Sequence, residues 1–164
     1  MRQQYETSSD LDRERIVAQS VADAKGDTFH KVPNQYAAIC DVAFVKNQRI
    51  VCYAEIKVRK LKWEPMEDVV LSAHKWHQGV SFANALQTPW MLLIAAQKGI
   101  FQYQYKPNTT PQRFRQVFGG RVASQRDNGD VEPVICIPTG DFTFVAELPT
   151  ELLDAVTHKT FRQD

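Results

Sequence analysis

Two ten-residue segments, AAICDVAFVK at 37–46 and RIVCYAEIKV at 49–58, constrain this chain more than any other feature. Both are rich in Val, Ile, Phe and Tyr, and only Asn47-Gln48 separates them, so they read as a β-hairpin. Side chains alternate faces along a strand. One face carries Cys40, Val42 and Phe44 beside Cys52, Ala54, Ile56 and Val58, wholly apolar. The other carries Asp41, Ala43 and Val45 beside Val51, Tyr53, Glu55 and Lys57, and is charged only at the open end. A surface strand would scatter charge along one whole face, so this pattern predicts strands covered on both sides.

The flanking segments supply the covers. Residues 9–25 read as a helix, with Ser9 as N-cap, Asp12 three residues on, apolar Leu11, Val17, Ala18 and Val21, and Gly26 as the stop. Residues 66–86 read as a second, longer helix between Pro65 and Pro89. Residues 90–97 and 100–105 read as a buried strand and its partner, joined at Lys98-Gly99. Thr28–Val32 is a candidate first strand. Beyond Lys106 the pattern weakens to a helix candidate at 111–118, strand candidates at 133–138 and 142–147, and a closing helix at 149–159. The expected fold is α/β: a mixed sheet flanked by helices in the order α-β-β-β-α-β-β, with an irregular C-terminal extension. The expected organisation is one domain over 1–164, with a core at about 9–105 and the extension at about 106–164.

Composition narrows the class. At 164 residues and 43% apolar content the chain can bury a real core, which excludes a disordered or collagen-like chain. The longest apolar run, Trp90–Ala96, is far short of a membrane span, so no membrane partner is expected and a soluble, cytoplasmic location is. Cys40, Cys52 and Cys136 sit in apolar segments and read as buried free thiols. The net charge of +1 conceals an uneven distribution. Residues 46–126 hold thirteen basic and four acidic residues, while residues 127–164 hold two and eight. A basic middle suits a polyanionic partner. The absence of a Gly-rich phosphate loop argues against a nucleotide-driven motor or kinase.

The hairpin register sharpens the chemistry. A turn centred on Gln48 sets Asp41 directly opposite Glu55, with Lys57 two residues on along the same face. Facing carboxylates repel unless a cation lies between them. An Asp and a Glu on adjacent strands can share a hard divalent ion, and a lysine beside them can orient water or stabilise charge on a phosphate. His74 and His77 lack a third ligand nearby, and His77 falls on an apolar stripe counted from Val69, so it reads as a core histidine.

Asp41 followed by Glu55-Ile56-Lys57 resembles the D…ExK signature of the PD-(D/E)XK nuclease superfamily, with Cys40 where the name would put Pro. The resemblance covers about residues 9–105 and implies the restriction-endonuclease-like core. It implies a Mg²⁺-dependent deoxyribonuclease, with Mn²⁺ as substitute. Asp41 and Glu55 would hold the metal, with a carbonyl from Ile56, and Lys57 would position the attacking water. A helix before the hairpin sends a Glu toward the metal in this family, and Glu14 matches that role. Gln78 with Phe82 is similar to the Q-x-x-x-Y pattern of the RecB-like branch, with the Tyr hydroxyl lost. In many members of this family the helix after E-x-K sends a Gln or Lys toward the site, a role that Gln78 and Lys75 match. Lys75, with Arg59, Lys60, Lys62 and Trp63 just past Lys57, is also an expected nucleic-acid contact. Arg113, Arg115, Arg121 and Arg126 would extend that path, with a turn at Gly119-Gly120. DNA is the expected partner, as a homodimer or a monomer. The small size is similar to stand-alone junction resolvases and virus-encoded nucleases. The alternatives are an RNA-directed nuclease and a catalytically silent nuclease-fold protein that binds nucleic acid or serves a structural role.

Overall fold

The computed structural model describes residues 7–33, 39–64, 67–120 and 131–157. Helix α1, Ser8–Lys25, begins one step earlier than expected. Thr7, not Ser9, is the N-cap, and it forms a reciprocal capping box with Asp10 rather than Asp12. Gly26, with φ 68°, ends the helix in the left-handed conformation. The buried stripe is Val17, Ala18, Val21 and Ala22, while Leu11 stands outside it in solvent.

Strands β1 (Thr28–Lys31), β2 (Val42–Lys46) and β3 (Arg49–Val58) run antiparallel in succession. Asn47 and Gln48 close the β2–β3 turn with φ of 49° and 62°, as a two-residue hairpin with a primed turn requires. The turn lies half a residue earlier than expected, so Lys46 pairs with Arg49. A bulge after Phe44 then absorbs one residue, and from Phe44↔Cys52 to Val42↔Ala54 the register is the one expected.

The covered strand is β5 (Trp90–Ala96), buried along its whole length and parallel to β3, with Leu92 beside Glu55. A hairpin leads to β6 (Gly99–Tyr105). The main sheet has the order β1-β2-β3-β5-β6-β9, so the expected α-β-β-β-α-β-β core is present. Its last strand, β9 (Thr143–Ala146), comes from the C-terminal third.

The crossover between β3 and β5 differs from expectation. Residues 68–72 form β4 (Asp68–Ser72), and helix α2 starts only at Ala73 and runs to Leu86. In β4, Val69 and Leu71 are buried while Val70 is 47% exposed. That period of two belongs to a strand. β4 joins β8 (Val131–Pro138) and β7 (Arg115–Gly120) in a second, three-stranded sheet. Residues 115–118, expected to be helical, are therefore strand, and Gly119-Gly120 continue it instead of turning. The 133–138 and 142–147 strands match expectation as β8 and β9. A 3-10 turn at Thr150–Leu152 and α3 (Leu153–Val156) stand where a closing helix was expected.

The two faces of the main sheet carry separate cores. The α1 stripe packs on Val42, Phe44, Cys52, Ala54 and Ile56. The second sheet and α2 pack on Trp90, Leu92 and Ile94 through Val69, Leu71, Ala83 and Ile137. At Gly79 of α2 a Cβ would lie 2.4 Å from the Trp90 ring, so only glycine lets the helix approach this closely. The cysteines are buried free thiols. Among the described residues no helix is long and apolar enough to cross a membrane.

Candidate active site

Where β2 begins, the ladder to β3 changes hands. The Asp41 N–H donates to Ala54 O at 2.8 Å, and Asp41 Oδ2 accepts the Ile56 N–H at 2.7 Å. A side-chain oxygen thus takes a β3 amide that a backbone carbonyl would otherwise satisfy. Asp41 is therefore not a ladder partner directly facing Glu55. Its carboxylate is pinned across the strand end, 3% exposed. Burial raises the Asp41 pKa above the usual carboxylate range, and the charge of Glu55 adds to this against the opposing pull of Lys57 and the Ile56 N–H.

Glu55 is fully buried on β3. Its Oε1 lies 2.5 Å from Lys57 Nζ and its Oε2 3.0 Å from Lys75 Nζ. The contact at Oε1 is an ion pair without a well-aligned hydrogen bond. Both ammonium groups reach solvent in part, with side chains 27% and 25% exposed. Burial by itself would lower the Lys57 pKa, but the charges of Glu55 and Asp41 together outweigh it and the net shift is upward. Lys57 is held as an ammonium.

Cys40 precedes Asp41 and is fully buried. Burial first, then the nearby charges of Asp41 and Glu55, push its thiol up to about 12, so it is no nucleophile.

Asp41, Glu55, Ile56, Lys57 and Lys75 therefore converge. Ile56 contributes its N–H to the carboxylate. Gln78 lies one turn after Lys75 on α2, half-buried, with a buried Oε1 that has no hydrogen-bond partner. Glu14 on α1 pairs with Lys31 of β1 at 2.7 Å. Among the described residues no group of three His, Cys, Asp or Glu side chains converges, so Glu14 is not gathered with the two acids. The donor set that could hold a cation is Asp41 and Glu55, whose hard carboxylate oxygens suit a hard divalent ion.

Past β3, Arg59, Lys60 and Lys62 are exposed. Trp63 turns inward instead, stacking on Phe101 at 3.9 Å and meeting Phe142 edge-on. Arg113 is exposed, and Arg115 pairs with Asp68 at 2.8 Å. Arg121 and Arg126 lie outside the described residues. His77, expected in the core, is exposed. The stripe that placed it inside was counted from Val69, and Val69 belongs to a strand. The ion pair between Lys75 and Glu55 was not foreseen. Its trace in the sequence is a cation set among Leu71, Phe82 and Leu86, which a buried acid must answer.

With this geometry in place, a comparison with protein families matches residues 1–145 to the family described as "Phage putative PDDEXK endonuclease". No curated protein matches the sequence. Among solved structures the chain is similar to the 1.6 Å structure of Hjc, a Holliday junction resolvase from Archaeoglobus fulgidus, an archaeal hyperthermophile. That match has 18% identity and a TM-score of 0.42, and covers 56% of this chain and 74% of the resolvase.

Proposed function

Because the chain belongs to this phage PDDEXK endonuclease family, we propose that it hydrolyses phosphodiester bonds in DNA with a divalent cation, Mg²⁺ or Mn²⁺, held by Asp41 and Glu55. The observation that carries the reading is the convergence of these buried carboxylates with the Lys57 ammonium, 2.5 Å from Glu55. A bound divalent cation polarises a phosphoryl oxygen and lowers the pKa of water. The chain does the rest. The Ile56 N–H holds the Asp41 carboxylate in place. Lys57, kept charged, orients a water for attack and stabilises charge developing on the phosphate. Arg59, Lys60 and Lys62 receive the phosphates of the strand. We read 1–164 as one nuclease domain, because β9 completes the main sheet from the C-terminal third.

The test is incubation of plasmid, single-stranded and branched DNA, and of RNA, with Mg²⁺ or Mn²⁺, beside Asp41→Ala and Lys57→Ala. Cleavage of DNA lost in both variants is the expected result. Cleavage that survives both substitutions defeats the site. Cleavage of RNA alone transfers the reading to RNA, and retention of DNA without cleavage makes the chain a binding protein.

A further inference from the structure

Resting on the metal-site reading above, we propose that Lys75 is a resident counter-ion that competes with the incoming cation for Glu55, so that divalent metal and a phosphate-bearing strand load together. Both Glu55 oxygens already face an ammonium group, Lys57 at 2.5 Å and Lys75 at 3.0 Å. One Asp41 oxygen is committed to the Ile56 N–H. The two acids and two lysines sum to zero charge. Glu14 is held by Lys31, and among the described residues no third acid joins the pair.

A divalent cation entering this neutral cluster leaves an excess of two positive charges beside a fully buried carboxylate. Uncompensated charge in such a place is costly. Phosphate groups of a bound strand supply both the missing negative charge and further oxygen ligands. They also give the Lys75 ammonium a new partner once the metal takes Glu55 Oε2. Lys75 is able to make that exchange, because its side chain is 25% exposed and its stem is flexible. It acts through Glu55 and is a positioning residue. Its removal should therefore change metal affinity itself.

The experiment measures Mn²⁺ binding by calorimetry and by electron paramagnetic resonance on the full chain. It is run with and without 5′-phosphorylated trithymidylate, whose integrity is checked by mass spectrometry. Without the trinucleotide, Lys75→Gln should bind Mn²⁺ about tenfold tighter than the parent, and Lys75→Arg should bind as weakly as the parent. The parent should gain affinity when the trinucleotide is present, and Lys75→Gln should gain less. Parent affinity that is the same with and without the trinucleotide overturns the proposal, and needs no variant to fold. So does a folded Lys75→Gln that binds no tighter than the parent. Asp41→Asn and Glu55→Gln separate the two levels: both should abolish Mn²⁺ uptake. Uptake indifferent to both defeats the metal site itself, whereas uptake lost in both but unmoved by Lys75 defeats only the competition.

Discussion

Glu55 is a buried charge answered from two directions, and what happens when either answer is removed can be stated. Lys75→Ala leaves the carboxylate with Lys57 alone. The expected loss is about 1–3 kcal/mol, below the full cost of orphaning a buried ion because both lysines are partly solvated. A urea titration of the metal-free chain checks it. Asp41 makes a pH prediction with a definite sign. Its folded pKa is raised, so the folded state holds the proton more tightly than the unfolded state. The stabilisation is present at low pH and is lost as pH rises from the ordinary carboxylate range through the raised value. Asp41→Asn removes this dependence and keeps an acceptor for the Ile56 N–H. Metal-free melting temperatures of parent and variant should therefore diverge in favour of the variant as pH rises to neutrality. Parallel curves would disprove the shift. The acids and Lys57 were legible because strand alternation and hairpin register are local arithmetic. The turn at Asn47-Gln48 defeats a naive register, and the bulge after Phe44 restores it only as far as Val42↔Ala54. Asp41 leaves the ladder there, and its carboxylate takes the Ile56 N–H instead of facing Glu55. That Lys75 points toward the site was legible through the family resemblance, but its pairing with Glu55 was not, because the partner is 20 residues away in the chain.

Between β3 and α2 a strand stands where a helix was expected. Residues 68–72 lie between a proline and a helix, and a periodicity of four counted through them links Val69 to Ala73 and His77. The same residues alternate with a period of two, and pairing with β8, more than 60 residues later, decides for strand. Non-local pairing of this kind leaves no mark in a local window. Two substitutions probe the elements. Gly79→Ala forces a methyl against Trp90 and should destabilise by about 1–3 kcal/mol, read by chemical denaturation. Gln48→Gly relieves a residue at φ 62° in the hairpin turn and should stabilise by about 0.5–1 kcal/mol in the same measurement.

The whole molecule depends on its C-terminal third, which the sequence suggested was a loosely organised extension. It supplies the middle strand of the second sheet and the last strand of the first. Truncation after Arg126 removes both β8 and β9, and the expected outcome is loss of cooperative thermal unfolding by circular dichroism. A sharp transition retained in the truncated chain would refute this. The exposed cations after β3 predict a collective effect. Replacing Arg59, Lys60 and Lys62 together by Ala should weaken DNA binding and lower the slope of log K against log salt by about 2–3.

The parallel pairing of β3 with β5 has one more consequence, for the order in which the protein comes into being. Leu92 lies beside Glu55 in the finished sheet, but 37 residues separate them in the chain. During synthesis the hairpin bearing both acids emerges well before Lys75 and before β5. An early fragment therefore carries Glu55 with Lys57 of the same strand but without its second ammonium, Lys75. The cluster around Glu55 is completed only when the crossover closes, so a ribosome-stalled fragment ending before residue 90 should lack the nuclease activity proposed for the full chain.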